Sequence, residues 1–254
     1  MIETVGIRDV VGRRDELVGQ LTLREGVIDL WLVYLGPDKE ARALCLEELD
    51  GRERERAARY VVEPPRHQYV LTQGALRMIL RGYLGEEAYA GMTYGRGEKG
   101  KPYVMLSGKR CDVEFNVSHS GDYALMGFSK GGEVGVDVEG HRKMRDALDV
   151  GARVYSDAEL SYLRSLNEDD RKRAFFRLWT CKEAVLKAEG LGLAGKPKTW
   201  CLFSGEPPVE GGSMANRYRV KGWDIEWVDF GPGYSMAWVA RPGTATNWEL
   251  GMKT

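Results

Sequence analysis

Residues 27–35 (VIDLWLVYL) form a dense run of β-branched and aromatic side chains that stops at Gly36 and Pro37, the pattern of a buried strand. Residues 41–58 are charged, with apolar Leu44, Leu46 and Leu49, and predict two short helices with solvated faces; Pro64 and Pro65 end that section. From 67 to 84, Val70, Leu71, Ala75, Leu76, Ile79, Leu80 and Leu84 recur at three- and four-residue spacing, which predicts an amphipathic helix closed by Gly85. Two β-like runs, 114–120 and 123–129, flank Gly121 and Asp122 as a hairpin. Then 134–139 alternates strictly. Val134, Val136 and Val138 share one face, and Gly135, Asp137 and Glu139 the other, predicting a half-buried strand with a polar face.

Further along, Ser156 followed by Glu159 is a capping-box signature for a helix running to about 166. A long helix is predicted over 170–188, ending at Gly190, and the alternation of Trp223, Ile225 and Trp227, then Met236, Trp238 and Ala240, predicts closing strands. The order strand, helices, strands thus occurs twice, with the break near 130–133. The expected fold class is α+β, built as two similar halves over 26–133 and 134–241, with an N-terminal extension over 1–25 and a tail over 242–254.

Composition narrows the chemistry. The 254 residues include 37 Lys and Arg against 38 Asp and Glu, so no global field draws the chain to nucleic acid or to an anionic membrane, and any phosphate site must be a local cluster. Cys45, Cys111, Cys181 and Cys201 form no CxxC pair and are expected as reduced thiols of a cytoplasmic protein. No export signal or membrane span is expected, because no stretch reaches the necessary apolar length.

Asp137 and Glu139 leave the same face of one strand roughly 6.5 to 7 Å apart at the backbone, close enough for their carboxylates to converge on a hard cation such as Mg²⁺. A solvated acidic face is the other reading. On the 170–188 helix, Phe176, Thr180, Glu183 and Lys187 line one face; Glu183 and Lys187 are either an ordinary surface pair or a third carboxylate beside a phosphate-neutralising cation. Lys182 lies at the edge of the apolar stripe, as a snorkelling or packing residue, and Trp179 is expected in the core. Ser118 and His119 point to opposite strand faces and cannot form a nucleophile and base pair, which disfavours a hydrolase triad; phosphate contacts and turn capping both remain open for them. Arg52, Arg56 and Arg59 share a helical face that either is solvated or grips a phosphate, with Arg66 and His67 nearby.

Together, Gly100, Lys101, Pro102; Phe115 to Gly121; Val136 to Glu139; and the run from Phe176 through Trp179, Lys182 and Glu183 to Lys187 resemble the Sfp-type 4'-phosphopantetheinyl transferase family in order and spacing. The resemblance implies a pseudo-twofold pair of α+β halves with coenzyme A and Mg²⁺ between them. It implies transfer of phosphopantetheine to a serine of an apo acyl or peptidyl carrier protein, releasing adenosine 3',5'-bisphosphate. By motif, Asp137, Glu139 and Glu183 would be the metal ligands, with Glu183 or a water it orients as the base. Lys187 would neutralise phosphate charge, Ser118 and His119 would contact coenzyme A phosphates, Lys101 would lie near the nucleotide, and Arg56 would meet the 3'-phosphate. Where many members carry a further basic residue, this chain reads Thr72, Gln73, Gly74. The segment 144–155 would help dock the carrier, and a chain with two complete halves would work as a monomer.

Two other classes fit parts of this pattern. Metal-dependent phosphodiesterases also group an Asp, a Glu and a Lys, though usually on strands, and the balanced charge argues against a polyanionic substrate. A coenzyme A or carrier-binding module without turnover is the non-enzyme alternative, and a charge-dense metal site counts against it.

Overall fold

The structure is a computed structural model and describes residues 5–142, 147–202, 216–231 and 233–248. The first half runs β1 (Val5–Gly6), α1 (Ile7–Gly12), α2 (Arg14–Leu17), β2 (Val27–Tyr34), α3 (Lys39–Glu48), α4 (Gly51–Ala58), α5 (Glu63–Leu84), α6 (Glu86–Ala90), a small sheet of β3 (Met92–Arg96), β4 (Pro102–Leu106) and β5 (Lys109–Arg110), then β6 (Val113–Ser120) and β7 (Tyr123–Lys130). The second half runs β8 (Gly135–Gly140), α7 (Ala147–Gly151), α8 (Asp157–Ser165), α9 (Glu168–Ala188), β9 (Asn216–Val220), β10 (Trp223–Phe230) and β11 (Tyr234–Ala240), and β12 (Ala245–Trp248) follows.

The central strands of the two halves follow the same path. β2 pairs antiparallel with β7, which pairs with β6; β8 pairs antiparallel with β11, which pairs with β10. Alternation along β2 and β8 divides their side chains between cores. Ile28, Leu30 and Leu32 meet Val134, Val136 and Val138 in a core shared by the two sheets. The opposite faces turn toward helices: Trp31 and Val33 pack beneath α5, and α9 lies over β8.

Several boundaries follow from local chemistry. Pro64 and Pro65 do not precede the long helix but form its first turn, where backbone N–H groups have no intrahelical partner to lose. Gly85 closes it with φ 74°. A Cβ at Gly74 would drive into Cys45, so this glycine lets α3 and α5 pack closely. The strand carrying Asp137 is buried on both faces, where alternation predicts a half-buried strand. Gly135 is the reason: a Cβ there would drive into the Ala184 carbonyl oxygen, so its absence allows α9 to lie directly on the polar face.

Residues 5–17 and 245–248 pack onto the first half. Ile7, Val10, Val11 and Leu17 are buried in the first core. β1 and β12 both pair parallel with β2, at opposite ends of the same edge. The segment after the second half therefore extends the sheet of the first. All four cysteines are free, and no helix among the described residues is long and apolar enough to cross a membrane.

Candidate active site

Edge strand β6 meets β8 through side chains. Asn116, Ser118 and Ser120 alternate along β6 and so share a face. The Asn116 carbonyl oxygen accepts from the Val136 N–H at 2.9 Å, the Ser118 hydroxyl donates to Asp137 Oδ1 at 2.7 Å, and the Ser120 hydroxyl donates to Glu139 Oε2 at 3.1 Å. Ser120 also accepts from the Gly140 N–H at 3.1 Å. This polar ladder holds the two carboxylates of β8 against the first half.

From the other side, α9 supplies the remaining groups. Lys187 Nζ donates to Asp137 Oδ1 at 2.6 Å and to Ser118 Oγ at 2.8 Å, and Trp179 Nε1 donates to Glu139 Oε1 at 3.0 Å. Asp137 is 3% exposed, and its second oxygen, Oδ2, is buried with no hydrogen-bond partner among the described residues. An orphaned buried carboxylate oxygen is costly, and it marks a place where a cation would be favoured.

The electrostatics of the three acids are coupled. Burial pushes the Asp137 carboxyl above its ordinary value, and Lys187 only partly offsets this. Glu139 is raised by burial and then by Asp137; Glu183 is raised by burial and then by Asp137, to about 6. Asp137 raises both glutamates and Glu139 also raises Glu183, which makes the pocket receptive to positive charge. The carboxylates do not close into a ready-made cage: among the described residues no group of three or more His, Cys, Asp or Glu is arranged to hold a metal. Residues of the right chemistry, oxygen donors with one unpartnered, nevertheless fit Mg²⁺.

His119 and Arg56 stand beside this pocket. His119 points away from Ser118, as the strand alternation requires, and is exposed. Its imidazole is held below the ordinary value by partial desolvation and then by the nearby cations Lys187 and Arg56. Its ring thus senses cations from both α4 and α9. The Arg56 guanidinium stacks 5.0 Å above the Tyr69 ring. Of the alternative cations, Arg59 lies 4.0 Å from Glu55, Arg66 pairs with Glu63, and His67 lies 3.3 Å from the Leu35 carbonyl oxygen.

The structure gives Lys101, Lys182 and Trp179 definite partners. Lys101 turns its ammonium to the carbonyl oxygens of Val134 and Ala188, at 3.0 and 3.1 Å, and so joins the start of β8 to the end of α9. An open cleft of about 270 Å³, bordered by Lys101, Pro102, Tyr103, Arg110 and Gly190, lies alongside. Of the two readings of Lys182, packing holds and snorkelling does not: it is 1% exposed and pairs with Glu159 at 2.8 Å. Trp179 is half-buried, and its indole reaches Glu139. Of the segment 144–155, residues 144–146 lie outside the described residues, Val150 is exposed, and Val154 and Tyr155 belong to the second core.

Asn116, Ser120 and the indole of Trp179 escape sequence reasoning as parts of the site. The signal for the first two was present as period-two polarity along 116–120, facing a strand with matching carboxylates. Only the pairing of the two edges gives it meaning.

Comparison with known proteins completes the picture. Residues 133–238 match the family described as the 4'-phosphopantetheinyl transferase superfamily, and residues 36–130 match the family described as 4'-phosphopantetheinyl transferase, N-terminal. The 4'-phosphopantetheinyl transferase HetI of Nostoc sp. is 34% identical over 175 residues, covering 68% of this chain and 73% of that protein. The 4'-phosphopantetheinyl transferase Sfp of Bacillus subtilis strain 168 is 25% identical over 193 residues, covering 74% and 80%. The 4'-phosphopantetheinyl transferase ffp of Bacillus subtilis is 28% identical over 217 residues, covering 79% and 89%.

Proposed function

The chain belongs to the 4'-phosphopantetheinyl transferase superfamily, and from that premise we propose how its two halves carry out the transfer of phosphopantetheine from coenzyme A to a carrier-protein serine. Coenzyme A lies across the rim formed by α4, β6 and α9. Arg56 and His119 bind its phosphates from the first half, and Lys187 binds from the second. A lysine suits that role because it needs only a fixed charge.

The serine oxygen attacks the pyrophosphate phosphorus that carries pantetheine. A new P–O bond forms, the bond to the bridging oxygen breaks, and adenosine 3',5'-bisphosphate departs with that electron pair. Glu183 takes the hydroxyl proton, directly or through a water it orients. In the metal-free chain burial and Asp137 raise its carboxyl to about 6, which leaves it ionised at neutral pH. Asp137, Glu139 and Glu183 would hold Mg²⁺, which supplies charge stabilisation of the pyrophosphate when bound. Ser120 and Trp179 orient Glu139, and Ser118 orients Asp137.

One observation carries this reading: the unpartnered Oδ2 of Asp137, a buried carboxylate whose other oxygen holds Lys187 and whose charge raises two further acids. Four free cysteines support a reducing, cytoplasmic setting. The test mixes the protein with apo carrier proteins of fatty acid, polyketide and peptide synthesis, coenzyme A and Mg²⁺, and looks by mass spectrometry for phosphopantetheine on serine. An adduct that disappears with chelator is expected. No adduct on any carrier would sink the assignment, and one that persists with chelator would remove the metal.

A further inference from the structure

Each half contains a buried cation on its long helix, gripping the capping-box glutamate of the short helix before it. In the first half Asp50 caps α4 and Glu53 reaches back to the Asp50 N–H. Arg77 of α5 donates to Glu53 at 2.5 Å and to Asp50 at 2.6 Å. In the second half Ser156 caps α8 and Glu159 reaches back to the Ser156 N–H. Lys182 of α9 meets Glu159 at 2.8 Å and donates to the carbonyl oxygens of Pro197 and Val154 at 2.9 and 3.3 Å, while the Leu202 N–H donates to the other Glu159 oxygen at 2.8 Å. Glutamate and cation are 24 residues apart in the first half and one fewer in the second.

Both pairs are nearly or wholly buried. Burying an ion pair costs desolvation that its attraction barely repays, so the attraction between the two charges by itself adds little stability. What an apolar pair lacks is direction. Arg77 holds both ends of the first turn of α4, the helix whose last turn carries Arg56. Lys182 immediately precedes Glu183 and fixes α9 to Val154, Glu159 and Pro197, setting its depth and rotation over β8.

We propose that these duplicated clamps are positioning devices with divided duties: Arg77 aims α4 and its arginine at coenzyme A, and Lys182 aims Glu183 and Lys187 at the reacting phosphate. The proposal rests on the roles given above to Arg56, Glu183 and Lys187.

Two variants test it in the full chain. Arg77→Lys keeps the charge but cannot span Asp50 and Glu53 with a planar fork. It is expected to raise KM for coenzyme A about tenfold, the equivalent of one lost charged contact, with kcat nearly unchanged. The double variant Lys182→Met with Glu159→Leu replaces the pair by apolar volume. It is expected to lower the melting temperature, because the Leu202 N–H and the Pro197 carbonyl lose their partners, and, in the fraction still folded, to lose kcat about 100-fold through misplacement of the catalytic helix, at unchanged KM for coenzyme A. Amide hydrogen exchange should rise in α4 but not in α9 for the first, and in α9 but not in α4 for the second.

Arg56→Ala separates this from the functional reading. If it leaves coenzyme A binding intact, the role of α4 is wrong, and the exchange pattern still decides the clamps. Equal effects on kcat and KM in both variants, exchange rising in both helices together, full activity in the double variant, or failure of both variants to fold would each overturn the division of duties.

Discussion

The two halves share a path and differ in what they place on it. Tyr123 opens β7 opposite Tyr34, and Tyr234 opens β11 opposite Gly140. Counting back from these pairs sets Trp31 and Val33 against Asp137 and Glu139, and counting on from Arg77 and Lys182 sets Met78 and Gly82 against Glu183 and Lys187. Every chemical group of the second half thus has an apolar or glycine counterpart in the first. The coverings differ too. A Cβ at Gly82 would collide with Leu21, and α1 and α2 pack on α5, so the first half is sealed where the second holds its charges. One scaffold serves as a core on one side and as the proposed reaction centre on the other.

The largest effect should come from the strand positions. Asp137→Ala is expected to abolish adduct formation, more than about 1000-fold, while the chain stays folded, because it removes a buried carboxylate with an unpartnered oxygen. Its counterpart, Trp31→Ala, should leave the cold enzyme active but cost about 3 to 5 kcal/mol in denaturant titrations, since Trp31 is buried in the first core. If both variants lost stability and activity alike, the division between core and centre would be wrong.

On α9, Lys187→Ala should reduce turnover about 100-fold and weaken coenzyme A binding far less; the reverse pattern would make Lys187 a binding residue only. A milder change, Gly135→Ala, pushes α9 away from β8 and should cost about 1 to 3 kcal/mol together with part of the activity. Gly74→Ala, which separates α3 from α5 instead, should show a comparable loss of stability with kcat spared. Parallel calorimetry and steady-state rates check both.

The smallest effect concerns the ion. Mg²⁺ at pH 7.5 should raise the melting temperature by about 5 °C, and Asp137→Asn should remove the increment. The Glu183 carboxyl is raised from 4.5 to about 6, so the metal-free fold binds this proton more tightly than the unfolded chain and gains stability as pH falls from 7 toward 4.5. Protons then compete with the ion. The Mg²⁺ increment should shrink as pH falls through 6, and an increment independent of pH would take Glu183 out of the ligand set.

Much of this was legible in the chain. The long helix over 67–84, the hairpin at Gly121 and Asp122, and the capping box at Ser156 and Glu159 are local patterns, and the structure has them within a few residues. The acids on one strand face were visible because alternation needs only neighbours in sequence. Contacts between distant segments were not visible. Lys182 looks like a stripe-edge lysine until Glu159 and the 197–202 segment close over it, and Arg77 is one basic residue in an apolar helix until α4 folds back.

Sequence alone determined the two rhythms, the duplicated order of elements and the residue types from which a phosphate and metal site can be made, because each depends on spacing along one strand or helix. Tertiary structure decided which of them meet. Gly135 lets α9 settle on β8, the edges of β6 and β8 join Ser118 and Ser120 to Asp137 and Glu139, and Lys187 completes the group from 50 residues away. Burial then raises the carboxyl groups, and burial is a property of the assembled layers, which no single segment carries.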